Sequence, residues 1–180
     1  ESQHGIRATV IGASQFTVQV SGKTIFAESF DFLPLRNIPV LHPELDLSIH
    51  KLDRGNMCKQ ILDACEIRDL ETHTPLALAL HWQGEPSYAR LKAIADAIDL
   101  ALCQPARVSP LILVIDRDVG CILGRILGKE LGKGFQLISL DGVTLSNLDF
   151  IDVGNLINPP GVIPLVIKSL IFDSTQHIKH

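Results

Sequence analysis

Three short apolar runs, separated by helix-patterned stretches, constrain this chain more than any other feature. Leu76–Trp82, with its richest part Leu76–Leu80, then Leu111–Ile115 and Phe135–Leu140 have strand length and lie between glycines, prolines and polar residues. Runs of this kind suit strands buried on both faces. Ahead of the first, Met57, Ile61, Leu62, Cys65 and Leu70 recur at helical spacing, with Asn56 as a cap. Between the first and second, Ser87 caps a helix whose apolar face is Tyr88, Leu91, Ile94, Ala95, Ile98 and Leu102. Between the second and third, Asp118 caps Val119–Leu131, which stops at Gly132-Lys133-Gly134. Residues 56–140 thus read helix, strand, helix, strand, helix, strand. Right-handed crossovers then predict an α/β fold: a mostly parallel sheet with helices on both faces.

The front of the chain is β-patterned. Arg7–Ile11, the turn Gly12-Ala13-Ser14, alternating Thr17-Val18-Gln19-Val20, the turn Ser21-Gly22-Lys23 and Thr24-Ile25-Phe26 predict a hairpin or meander preceding the sheet. Leu33–Pro43 holds Pro34, Pro39 and Pro43 and is expected to be extended or loop-like. At the back, Phe150–Val153 and Val162–Phe172 flank a Pro159-Pro160-Gly161 break. Pro164 marks a strand beginning or a sheet edge. The expected organisation is a β-rich segment 1–55 packed on the main domain, an α/β domain 56–172, and a disordered tail 173–180. The opening Glu1-Ser2-Gln3-His4 has neither an initiator Met nor a signal-peptide pattern, and reads as a cut inside a longer chain.

Composition narrows the function classes. The net charge is −4 and the basic residues are scattered, so no nucleic-acid footprint is expected. No apolar run approaches the ~20 residues of a membrane span. Cys58, Cys65, Cys103 and Cys121 sit in apolar helical settings without a CxxC pair, and are expected as buried free thiols of a cytoplasmic protein.

Four constellations bear on chemistry. Asp116-Arg117-Asp118-Val119-Gly120 directly follows a strand, where a parallel sheet places its ligands. It resembles the opening motif of haloacid-dehalogenase-type phosphatases, with Asp116 as nucleophile and Asp118 as acid in a small Mg²⁺-dependent phosphohydrolase. Gly120 departs from that motif, Lys129 falls too soon, and Asp149 with Asp152 matches the metal pair thinly. Alternatively Asp118 caps the helix and Asp116 pairs with Arg117 or Arg125. Gly120, Gly124 and Gly128 form a stripe on one helix face. Each interior glycine costs about 0.5–1 kcal/mol against alanine, so a close backbone approach is expected, to the domain's own sheet or to a partner. His42, Asp46 and His50 would line up only on a helix that Pro43 interrupts, so no metal site is expected. Gly12-Ala13-Ser14-Gln15-Phe16 is not a nucleophile elbow, and Gly124–Lys129 is not a Walker A loop. No complete catalytic set stands in the chain. A generic metabolite-binding α/β module is a further alternative.

Ordered segments carry a family resemblance. They are Gly5–Ala13, Thr17–Gly22, Leu33–Val40, Asp149–Gly154 and Val162–Phe172. Together they resemble the EutA family, the reactivating factors of ethanolamine ammonia-lyase and relatives of the actin/Hsp70-like ATPases. The resemblance runs from about Gly5 to Phe172. It implies the C-terminal part of a chaperone-like factor that uses ATP and Mg²⁺ to exchange damaged cobalamin on an adenosylcobalamin-dependent lyase. It further implies a partner in that lyase, another in an N-terminal ATPase part of the same chain, and a cytoplasmic location with a bacterial microcompartment nearby. The piece alone is expected to be non-catalytic. Asp118-Val119-Gly120 and Asp152-Val153-Gly154 have the letters of the family's Asp-x-Gly phosphate loops, but neither is expected in the hairpin such a loop needs, so neither is assigned to ATP. The expected docking surfaces are Asp116, Asp118, Gly120, Gly124 and Gly128.

Overall fold

The computed structural model describes residues 13–71, 74–103, 109–131, 134–146 and 149–171. In chain order the elements are β1 (Ala13–Val20), β2 (Phe26–Ala27), β3 (Leu35–Leu41), α1 (Arg54–Ile67), β4 (Leu76–Leu80), α2 (Tyr88–Ile98), β5 (Leu111–Ile115), α3 (Gly120–Leu131), β6 (Leu137–Asp141), β7 (Phe150–Val153) and β8 (Pro164–Ile171). A π-helical turn, Asp99–Cys103, continues α2. The three runs of the sequence are β4, which ends at Leu80 rather than Trp82, β5, and β6, which starts two residues and ends one residue later than expected.

The strands form one sheet in the order β1-β8-β7-β3-β4-β5-β6-β2. Only β3-β4, β4-β5 and β5-β6 are parallel; the pairings of β1-β8, β8-β7, β7-β3 and β6-β2 are antiparallel. The sheet is therefore mixed, and the expectation of a mostly parallel sheet fails beyond its centre.

Helices on both faces also fail. Leu76, Leu78, Leu80, Leu111, Leu113 and Ile115 point to one face, where α1, α2 and α3 bury them. Ala77, Ala79, Ile112, Val114, Ile138 and Leu140 point to the other. There they meet Ile151 and Val153 of β7 and Leu165 and Ile167 of β8, because the sheet curls over its own second face. Strands β4–β6 are buried on both sides for two different reasons, and a continuous apolar run does not distinguish them.

The predicted meander is also corrected. Ala13 and Ser14 belong to β1 rather than a turn, and Arg7–Ile11 lies outside the described residues. β1 and β2 do not pair; they occupy opposite edges of the sheet. The chain between them ties the curl together. The Ser21 N–H donates to the Ile163 carbonyl (3.0 Å), and the Gly22 N–H to the Asp141 carbonyl (2.9 Å).

The proline-rich stretch is extended as expected, yet Leu35–Leu41 is a central strand rather than a loop. Pro39 is accommodated because β3 changes partners there: it aligns with Phe150 of β7, while pairing with β4 begins at Val40. A register shift precedes it, with Asn37 at φ 55° donating its N–H to Asp152 Oδ1 (2.7 Å). The cap of α1 is Asp53 rather than Asn56: Asp53 Oδ1 accepts the Asn56 N–H at 2.6 Å. On α2, Ser87 holds the cap position and the predicted apolar face is buried, except for exposed Tyr88. Cys58, Cys65 and Cys103 are buried as expected, whereas Cys121 is only half-buried.

Candidate functional site

Strands β4, β5 and β6 run in parallel register and finish together, with Leu80 beside Ile115 and Ile115 beside Asp141. Their carboxyl ends form a rim, the position where α/β sheets bind ligands. The chain crosses this rim in three places: 81–87 after β4, 116–119 after β5, and 142–146 after β6.

Asp116 locks the first two crossings. Its Oδ1 accepts the Trp82 backbone N–H (2.9 Å), and its Oδ2 pairs with His81 Nδ1. The Trp82 indole donates to the Gly84 carbonyl (2.9 Å), and the Arg90 guanidinium lies 5.3 Å from the indole centroid. Arg90 is itself buried and donates to the carbonyls of Leu47, Gln83 (2.8 Å) and Glu85 (2.7 Å). Segment 81–87 is thus held by a cation whose donors satisfy backbone oxygens. The pairing of Asp116 with Arg117 or Arg125 is replaced by His81.

Asp118 does not show the predicted capping role; its Oδ1 accepts the Thr24 hydroxyl at 2.8 Å. Beside it lies Asp141, only 3% exposed. Burial pushes the Asp141 carboxyl above its ordinary range. The Thr24 hydroxyl opposes that shift, and the neighbouring Asp118 charge reinforces it. A cavity of about 260 Å³ opens between Trp82, Gly84, Pro86, Arg117 and Asp118. A second, of about 180 Å³, is lined by Asp116 together with His42, His81 and Thr144. Sequence reasoning found Asp116 and Asp118 but missed His81, Arg90, Thr24 and Asp141. One signal was available: Asp141 ends an apolar run, as Asp116 follows one. A larger cavity of about 510 Å³ between the end of β3 and α1, lined by Leu41, Pro43, Ala64, Ile67 and Arg68, had no sequence signal.

The glycine stripe faces inward. A Cβ on Gly120 would lie 3.0 Å from the Leu140 carbonyl, on Gly124 2.7 Å from Ser139 Cβ, and on Gly128 2.9 Å from the Phe26 ring. Ser139 Oγ donates to the Gly120 carbonyl at 2.7 Å. The close approach is to β6 and β2 of the same chain, so Gly120, Gly124 and Gly128 offer no docking surface. The other two predicted residues, Asp116 and Asp118, lie on the rim, with exposed Arg117 between them.

The parts of a phosphohydrolase do not converge. Both Asp116 oxygens are engaged. Asp149 accepts the Ser169 hydroxyl (2.7 Å) and the Ser146 N–H (2.8 Å), and Asp152 pairs with Lys168 (2.6 Å). Burial alone would raise the Asp152 pKa, but Lys168, the Asn37 N–H and Arg36 hold it below the ordinary range. Among the described residues no three His, Cys, Asp or Glu side chains form a set that could hold a metal ion. Asp46 turns to the Ser48 hydroxyl (2.6 Å) rather than to a histidine, and that hydroxyl lowers its pKa.

Nor do the residues fit a nucleotide phosphate clamp. Contrary to the sequence expectation, Asp152-Val153-Gly154 does lie on an antiparallel pair, β7 with β8. However, its carboxylate is taken by Lys168 and Asn37. The Gly154 N–H donates to the Pro164 carbonyl (2.9 Å), and a Cβ on Gly154 would meet the Pro164 ring at 2.7 Å. Asp118-Val119-Gly120 sits at a strand-to-helix turn with its glycine against β6.

Fold and site therefore define a mixed-sheet α/β domain with a braced carboxylate rim. Comparison with known proteins makes the assignment specific. The sequence model of the family "ethanolamine utilisation protein EutA" matches residues 1–173. The ethanolamine ammonia-lyase reactivase EutA of Salmonella typhimurium (strain LT2) is 35% identical over 170 residues, covering 94% of this chain and 34% of the relative. The ethanolamine ammonia-lyase reactivase EutA of Escherichia coli (strain K12) is 32% identical over 170 residues, with the same coverage. No solved structure matches the chain. The chain belongs to the EutA family, and it spans about a third of the length of the curated relatives it matches. No helix among the described residues is long and apolar enough to cross a membrane.

Proposed function

We propose that this chain is the C-terminal part of an ethanolamine ammonia-lyase reactivating factor, and that it serves as a docking and transmission domain rather than as the ATPase. The observation that carries the reading is the family match across residues 1–173, together with two relatives whose name is that of a reactivase. In this reading ATP and Mg²⁺ are held by the rest of the longer protein, since the Asp-x-Gly segments here are closed by their own neighbours. The nucleotide state there biases how this domain sits on the lyase, and damaged cobalamin is exchanged for adenosylcobalamin. The rim suits the contact role. Asp116 braces segment 81–87 against 116–119 and leaves exposed Arg117 and Asp118 beside an open cavity.

The test is recovery of ethanolamine deamination by lyase inactivated with cyanocobalamin. The full-length protein with ATP, Mg²⁺ and adenosylcobalamin is expected to restore turnover. The 180-residue chain is expected to bind the lyase without hydrolysing ATP. Full restoration by an Arg117→Glu, Asp118→Lys variant of the full-length protein would remove the rim from the contact. ATP hydrolysis by the 180-residue chain would overturn the division of labour.

A further inference from the structure

The β1–β8 ribbon carries its apolar residues on the wrong side. Phe16, Val18 and Val20 lie opposite Lys168, Val166 and Pro164, and all three point away from the core, 63%, 68% and 52% exposed. The alternate positions of β1 are exposed Thr17 and half-buried Gln19, opposite buried Ile167 and Leu165. Gln19 spends its amide on the Thr144 backbone, donating to the carbonyl and accepting from the N–H at 3.4 Å each. Period-two alternation fixes which side chains face outward, and here register puts the apolar set outside. The charges on the same face, Lys168 and Asp152, neutralise each other at 2.6 Å. Among the described residues β1 pairs only with β8 and is an edge strand of the sheet. An eight-residue edge strand with three outward apolar side chains is the signature of a surface built to be covered.

We propose that the outer face of the β1–β8 ribbon is the seat of the rest of the longer protein, packed against Phe16, Val18 and Val20. Roughly two thirds of each relative lies outside the matched segment. The two ends of the described chain meet on this ribbon, with Ala13 paired to Ile171. A covalently joined remainder acts at a high effective concentration, on the order of millimolar for a short linker, which a free partner has to exceed. The proposal rests on family membership and relative length, not on the reactivation activity.

Hydrogen–deuterium exchange tests it, comparing the 180-residue chain with the same segment inside the full-length protein. The amides of residues 15–20 are expected to exchange at least about tenfold more slowly in the full-length protein. Val18→Lys is expected to abolish that difference while leaving the protection of β4–β6 unchanged, which shows that the variant is folded. Equal exchange in the two contexts overturns the proposal. So does a dimer of the 180-residue chain that Val18→Lys dissociates in sedimentation, which assigns the face to a second copy. Protection that appears only when ethanolamine ammonia-lyase is added assigns it to the enzyme and equally overturns the proposal. A full-length protein that fails to reactivate the lyase yet shows the slowed exchange separates the two readings.

Discussion

The two edges of the sheet use similar residues to opposite ends. At one edge β2 is only two residues long, and Phe26 lies in the groove that Gly124 and Gly128 open along α3, beside Ser139 of β6. At the other, β1 is eight residues long, and Phe16, Val18 and Val20 face away from the protein. The first edge finds its cover within the chain, because a helix without side chains on one line approaches closely enough to enclose an aromatic ring. Among the described residues no such helix lies along the second. An edge strand's character thus follows from what the neighbouring element lacks as much as from its own sequence.

The most severe way to break this contrast is to fill the groove at the covered edge. Gly124→Val is expected to destabilise the chain by about 3 kcal/mol, because the new Cβ meets Ser139 Cβ and the Phe26 ring well inside contact distance, and the loss is read from a urea midpoint. Emptying the groove is milder. Phe26→Ala should lose about 2 kcal/mol, below the range for a fully buried ring because Phe26 is half-buried, and in that background the Gly124→Val penalty should shrink by about 1 kcal/mol. Smaller again is the effect of pH at the tie between the edges, where Asp141 accepts the Gly22 N–H. With its folded pKa raised, Asp141 binds a proton more readily folded than unfolded. Its stabilising contribution is complete below its ordinary value of 3.8 and is lost as pH rises through the raised value. Asp141→Asn should therefore gain stability relative to the wild type as the pH rises above about 4, as thermal melts at successively higher pH would show. The smallest change is expected at the open edge. Val18→Lys should alter the stability of the 180-residue chain by less than about 0.5 kcal/mol, since the side chain touches little, and a shift comparable to Phe26→Ala would mean that β1 is covered after all.

How far the sequence discloses this molecule depends on whether a residue's role is local. Leu76–Leu80 and Leu111–Ile115 are legible because a short, wholly apolar run has few alternatives to a buried strand. The periodicity of α2 and the glycine line on α3 are legible for the same reason. What covers the second face of the sheet is not: Leu165 and Ile167 alternate like any half-buried strand, and only tertiary pairing shows that they curl back over Ala77 and Ile112. Thr24-Ile25-Phe26 looks like the return strand of a hairpin, and its true partner, Ser139, lies 113 residues further along. At the rim, Asp116 and Asp118 stand out because they follow a strand directly. His81, Thr24 and Asp141 join them from three other segments, and no spacing rule links residues brought together by parallel register. Arg90 is the hardest to foresee, since a cation on an apolar helix face is usually solvated, whereas this one serves three carbonyls of loops before it.

The exchange of partners at Pro39 makes β3 a lap joint. One end of the strand is fastened to the antiparallel ribbon through Leu35, Ile38 and Pro39, the other to the parallel block through Val40 and Leu41. Arg68 of the segment after α1 rivets the overlap by donating to the Val40 carbonyl, and Val40 in turn donates to the Asp149 carbonyl at 3.0 Å. A pull on the ribbon would reach the rim carboxylates by this splice and by the Ser21–Gly22 tie, so these two short stretches of backbone set how stiffly one half of the domain follows the other.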